Sequence, residues 1–147
     1  MAGQARVTIA RAAELERDGW LVVFKAIPNV VHSGVVPITT GGGTKQRYPD
    51  ILSVSGQRVL LSEVEQWLTG SVATEIAARL ASHVKALTDP EVYARYRKRI
   101  NEFRGILLPP NPVFLRELVL CNPPKSDARE QISLLRAKGV EVVVQKT

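Results

Sequence analysis

Apolar positions along the chain recur with two different periods, and their alternation predicts an α/β fold. Residues 7–18 are rich in Ala, Leu, Glu and Arg, which favour helix, and Gly19 follows as a stop. Residues 20–24, WLVVF, form a short apolar run with β-branched and aromatic side chains, the signature of a buried strand. Residues 50–54 and 58–66 flank Ser55-Gly56-Gln57 and predict a hairpin. The clearest helix is 71–87, where Val72, Ile76, Leu80 and Val84 recur every fourth position, Ser71 stands at the cap, and Glu75 and Arg79 pair on another face. A further helix opens at Thr88, with Glu91 at capping-box spacing and Pro90 in the first turn. Its apolar stripe is Val92, Tyr96, Ile100 and Phe103, and Gly105 ends it. Beyond the rigid LPPNP run at 108–112, residues 113–121 read as an apolar strand. Ser126 or Asp127 then caps a helix to Lys138 with Ala128, Ile132 and Leu135 as its buried line, and VEVVV after Gly139 is the last strand. Strand, helix and strand at this spacing imply a right-handed crossover and a parallel pair. The expected order is α-β-β-β-α-α-β-α-β.

Composition narrows the class. The chain has 147 residues, 45% hydrophobic and 23% charged, values that exclude wholesale disorder and suit one domain spanning 1–147. The opening MAGQARVTIA lacks the apolar segment of a secretory signal, and no apolar run approaches the ~20 residues of a membrane span. The single cysteine, Cys121, precludes an intrachain disulfide and sits in an apolar strand as a structural thiol. The expectation is a soluble, cytoplasmic protein in a reducing compartment.

The net charge of +6 is unevenly spread. Residues 25–48 carry Lys25, Lys45 and Arg47 and no acid, whereas 49–89 carry five acids and three bases. A basic surface suggests a polyanionic partner, most often nucleic acid, beside the alternative of ordinary solubility charge. Residues 25–48 also lack a period and hold Pro28, Gly34, Pro37 and Gly41-Gly42-Gly43. They predict a long basic loop with an extended piece at 34–39, either contacting phosphates or forming an uncommitted insertion. The triple glycine lacks the Lys-Ser/Thr ending of a P-loop. The helix at 88–105 reads as an insertion, and its Arg95, Arg97, Lys98, Arg99 and Arg104 as a nucleic-acid contact or a solvated face.

The acidic segment carries the candidate chemistry. Side chains two apart in a strand share a face, so Glu63 and Glu65 project together, roughly 7 Å apart. A four-residue loop over 55–58 pairs Val54 with Val59 and so Asp50 with Glu63, and a shorter loop shifts the partner by one or two residues, so in either case Asp50 lies within one or two residues of Glu63. Three carboxylates on one face repel one another and raise at least one pKa. A hard divalent cation, Mg²⁺ or Mn²⁺, would relieve the repulsion and could polarise a phosphodiester. The competing reading is a solvated acidic strand with Arg or Lys partners. His32 and His83 stand apart and do not argue for zinc or a catalytic triad, and no Rossmann fingerprint follows a strand.

Tyr48-Pro49-Asp50-Ile51-Leu52 and Leu61-Ser62-Glu63-Val64-Glu65 together resemble the PD-(D/E)XK motif of the restriction-endonuclease-like nuclease superfamily. Pro49-Asp50 is similar to its PD and Glu63-Val64-Glu65 to its (D/E)XK. The nearest likeness is to archaeal-type Holliday junction resolvases, whose motif hairpin the stretch from Asp50 through the Gly56 turn to Val64 resembles. The resemblance spans most of the chain in element order but only about twenty residues in motif. It implies a mixed central sheet flanked by helices. The implied activity is Mg²⁺-dependent endonuclease cleavage of DNA, duplex or branched, by a homodimer whose symmetry supplies two active sites. Asp50, Glu63 and Glu65 would hold the metal and serve catalysis, and Lys25, Lys45 and Arg47 would contact DNA. Two departures stand out. Glu65 replaces the motif lysine, which in the family positions water or stabilises charge. In the first helix the acids Glu14 and Glu16 come late, with Glu16 sharing a rough face with Ile9 and Ala12 and expected to point inward. The alternative is a catalytically silent nucleic-acid-binding or assembly protein of the same fold.

Overall fold

The structure, a computed structural model, describes residues 2–27, 30, 34–38 and 47–145, with the backbone alone at Ala2 and Asp127. Its elements are α1 (Ala2–Arg17), β1 (Leu21–Lys25), β2 (Ile51–Ser55), β3 (Arg58–Glu65), α2 (Gly70–Leu87), α3 (Pro90–Arg104), β4 (Val113–Leu120), α4 (Arg129–Ala137) and β5 (Val140–Val144). A short 3₁₀ turn, Ser126–Ala128, leads into α4. The order is the one the periodicity predicts, and the architecture is α/β with a five-stranded mixed sheet in the order β1-β2-β3-β4-β5. β1, β2 and β3 run antiparallel to their neighbours, and β3, β4 and β5 run parallel.

The hairpin register is the expected one, with Val54 opposite Val59 and Ser55 opposite Arg58. Only Gly56 and Gln57 make the turn, and Gly56 adopts φ +59, a left-handed conformation in which any side chain is strained. Several element ends differ from expectation. α1 starts at Ala2 rather than at 7, and its first turns are tied down where Gln4 Nε2 donates to Val64 O at 3.2 Å. Thr69, not Ser71, caps α2, its hydroxyl accepting from the Val72 amide. Thr88 closes α2, and Asp89 caps α3, because Pro90 occupies the first helical position and sets the cap directly before it. Neither Ser126 nor Asp127 caps α4, whose N-cap position falls at Ala128.

α1 covers one face of the sheet through Leu15 against Ile51 and Leu60, and through Val7 against Val64 and Val119. α2, α3 and α4 cover the other face, where Leu52, Val54, Val59 and Leu61 meet Ile76, Leu80, Tyr96, Ile100 and Leu135. Phe103, expected in the α3 stripe, is 70% exposed. The buried line 92-96-100 continues by fours to 104, and Arg104 takes that place with Nε donating to Val23 O at 2.9 Å. Arg97 donates to Leu108 O and Arg99 to Pro37 O, both at 2.6 Å, so three of the five bases of the expected basic face are committed to holding carbonyls. Arg95 and Lys98 remain exposed. Within 25–48 the described stretch 34–38 buries Val36 and Ile38, and its only pairing is an isolated antiparallel bridge from Ile38 to Arg47. No helix among the described residues is long and apolar enough to cross a membrane.

Under α1 lies a buried ion pair. Arg11 donates from Nε to Glu117 Oε1 at 3.0 Å and from Nη2 to Oε2 at 2.8 Å, Ser62 Oγ donates to the same carboxylate, and Arg11 also pairs with Glu14. Glu117 is only 3% exposed, so removing its partner strands a charge in the core. Arg11→Ala is therefore expected to lower unfolding stability by about 3 kcal/mol in urea titrations. A loss below about 1 kcal/mol would mean that the pair is solvated in solution.

Candidate functional site

Asp50 sits at the entry to β2 and is fixed from two sides. Its carbonyl accepts from the Ala26 amide at 2.7 Å, which continues the β1 pairing, and its Oδ2 accepts from the Val64 amide at 2.7 Å. The hairpin register, with Ile51 opposite Ser62, places Asp50 against Glu63 as the sequence predicts. Glu63 follows Val59 and Leu61 on the face covered by α2, so it enters a wall of apolar side chains and is 2% exposed. The two carboxylates are neighbours that perturb each other's titration.

Burial and the neighbouring Glu63 charge push the Asp50 carboxyl up to about 8, against the opposing pull of the Val64 amide. Burial also raises Glu63, partly offset by its hydrogen bond with Asp50 and by the Arg79 charge. Glu65, one pleat further along β3 and half-buried, is raised by burial, with Arg79 opposing and Asp50 and Glu75 adding to the shift. The repulsion expected of an acidic cluster is thus present in this face of the sheet, strongest between Asp50 and Glu63.

α2 supplies the opposite wall. Arg79 Nη1 lies 3.6 Å from Glu63 Oε2, so Arg79 turns to the sheet instead of forming the expected pair with Glu75. His83 is 2% exposed, and its Nε2 lies 3.5 Å from Glu63 Oε1. Among the described residues, Glu63 Oε1 and both His83 ring nitrogens are buried without a hydrogen-bond partner. Burial lowers His83 to about 4, assisted by the Arg79 and Arg47 charges, so the ring is neutral at physiological pH. Asp50, Glu63, Arg79 and His83 line a cavity of about 410 Å³. Arg47, Tyr48 and Ser82 complete its rim, and Arg47 Nη1 donates to Ser82 Oγ at 2.9 Å. A larger hollow of about 530 Å³, beside Trp67, Leu68, Pro123 and Pro124, is lined by Lys125 and, among the described side chains, by no carboxylate or imidazole.

Among the described residues no three His, Cys, Asp or Glu side chains already form an ion-holding group. The donors meet in pairs, Asp50 with Glu63 and Glu63 with His83. Of the expected polyanion contacts, Arg47 borders the cavity, Lys25 is half-buried at the end of β1 directly before Ala26, whose amide pins the β2 entry, and Lys45 lies outside the described residues. His32 lies outside them as well. Glu14 and Glu16 belong to α1, on the opposite face of the sheet. Glu14 pairs with Arg11, and Glu16 is exposed rather than inward-facing, because the buried line of α1 runs through Val7, Ala12 and Leu15. Cys121 lies just past β4, half-buried, with its thiol raised by burial and by Glu65.

Sequence reading missed Arg79 and His83. The signal was present: His83 follows Leu80 by three and Ile76 by seven, which puts a polar ring on the apolar stripe of α2. No known family model, curated protein or solved structure matches the chain.

Proposed function

We propose that this protein is a metal-dependent endonuclease that hydrolyses phosphodiester bonds in DNA, duplex or branched, with the restriction-endonuclease-like fold. One observation carries the reading: half-buried Asp50 stands beside buried Glu63, both carboxyls are raised, and Glu63 Oε1 has no hydrogen-bond partner among the described residues at a cavity that both residues line. Buried carboxylates are ordinarily satisfied. An orphaned oxygen beside a second carboxylate fits a divalent cation, which would relieve the repulsion between the two carboxylates. The element order and the motif's place on the central hairpin, as the resemblance implies, support the same reading.

Asp50 and Glu63 would hold the ion, with Glu65 positioned one pleat away to complete its shell through water or to orient the attacking water. A bound Mg²⁺ or Mn²⁺ supplies polarisation of the phosphodiester and stabilisation of the leaving oxygen. The Val64 amide fixes the Asp50 carboxylate, so little side-chain reorganisation opposes binding. Arg79 contributes the positive charge that the motif lysine gives in the family, here from α2 instead of β3. Arg47 at the rim, with Lys25 and Lys45, meets the phosphate backbone. Cutting both strands requires two such sites, which a homodimer provides.

The test is a cleavage assay on duplex, four-way-junction and single-stranded DNA with Mg²⁺ or Mn²⁺, beside binding measured at low and physiological salt. Expected are metal-dependent cuts and an affinity that falls steeply with salt, since each neutralised phosphate releases counterions. Salt-sensitive binding without cleavage by either ion would favour the silent DNA-binding alternative. Absence of both would overturn the nucleic-acid reading.

A further inference from the structure

We propose that His83 is a direct ligand of the divalent cation held by Asp50 and Glu63, and that it gives the site a preference for a transition ion such as Mn²⁺ or Zn²⁺ over Mg²⁺. The inference rests on the metal-site reading above and adds a nitrogen donor that neither the motif nor the resemblance supplies.

Three observations converge on it. His83 is 2% exposed, yet neither ring nitrogen has a hydrogen-bond partner among the described residues. A buried imidazole normally donates from one nitrogen and accepts at the other, and leaving both unmet is unfavourable by about 1–3 kcal/mol per group. Second, His83 Nε2 lies 3.5 Å from the equally orphaned Glu63 Oε1. That is too long for a hydrogen bond, but two donors each about 2.1 Å from a tetrahedral ion stand about 3.4 Å apart. Third, Glu63 and His83 line the same cavity as Asp50. An ion between them would satisfy both orphaned atoms at once, with Asp50, which lines the same cavity, as a further donor.

The chemistry of the donor set follows. Mg²⁺ takes oxygen ligands and keeps several waters, whereas imidazole suits Mn²⁺, Zn²⁺ and their neighbours. A site of two carboxylates and one imidazole therefore binds the transition ion through a contact that Mg²⁺ uses poorly.

The experiment titrates the full-length chain with Mg²⁺, Mn²⁺ and Zn²⁺ by calorimetry, and records electron spin echo modulation of the bound Mn²⁺. The wild type should bind Mn²⁺ and show the ¹⁴N coupling of a directly bound imidazole. His32→Gln should keep that coupling. His83→Leu should lose it, with Mn²⁺ and Zn²⁺ affinity falling at least about tenfold and Mg²⁺ affinity changing less than about threefold. Should His83→Leu fail to fold, the nitrogen coupling of the wild type and of His32→Gln decides the matter alone. Mn²⁺ that binds, is lost in Asp50→Asn, and shows no nitrogen coupling would overturn the histidine assignment and leave the carboxylate site standing. A wild-type chain that binds none of the three ions would overturn both.

Discussion

Asp50→Asn is expected to make the metal-free protein more stable at pH 8 while abolishing metal-dependent cleavage. The sign follows from the raised carboxyl, moved from 3.8 to about 8 by burial and by Glu63. A group raised in the folded state favours folding only while it is protonated. Its contribution is full below about 4, where the unfolded chain is also protonated, and drains away as pH climbs through about 8. Asparagine keeps the acceptor for the Val64 amide and carries no charge. Its advantage in EDTA should therefore be near zero at pH 4, grow between pH 4 and pH 8, and level off above. Thermal unfolding of the two proteins across that range reads it directly. An advantage that does not change with pH would show that Asp50 is ordinarily ionised in the fold. Cleavage should fall by more than about 100-fold, since outer-sphere changes alone lower metal-site activity by 10–100-fold. Retained cleavage would remove Asp50 from the site.

The order of elements and the register of the motif hairpin were legible because each depends on local pattern. Alternation fixes which face a strand residue takes, and the Ser55-Gly56-Gln57 signal puts Asp50 within one or two residues of Glu63; the two-residue turn at Gly56 and Gln57 then selects the register that sets them opposite. Element ends were less legible. Ser71, Thr88 and Ser126 are all competent caps, and tertiary context selected Thr69 and Asp89 and left α4 without a side-chain cap. The α2 wall of the site was illegible for a different reason. Arg79 and His83 are some twenty residues from Glu63 in sequence, and nothing local states that α2 crosses the sheet above the motif. For the same reason Arg79 looked like a partner for Glu75, four residues away, when its partner is across the fold. The acids of α1 failed as candidates because the helix lies on the other face of the sheet, and helical periodicity cannot say which face of a sheet a helix will cover.

Arg79→Ala is expected to lower cleavage about 100-fold with little effect on stability. The ion pair with Glu63 spans 3.6 Å and the Arg79 side chain is 46% exposed, so solvent screens it and its loss should change unfolding by less than about 1 kcal/mol. In the cavity the same charge faces the place where a phosphodiester would gather negative charge, and one preorganised donor there is worth about 10²–10³ in rate. Arg79→Lys should retain most of the activity, because position and charge persist. The position of the missing motif lysine gives a sharper version. Glu65→Lys in the wild-type background should lower activity, since it removes an oxygen donor and adds a second cation beside Asp50 and Glu63. In the Arg79→Ala background the same substitution returns the lone cation to β3 and should recover at least about tenfold of the lost rate. If Glu65→Lys is as damaging without Arg79 as with it, the two positions do not share a role and the arginine is not the stand-in for the lysine. If Arg79→Ala cleaves at the wild-type rate, the positive wall of the cavity takes no part in the chemistry.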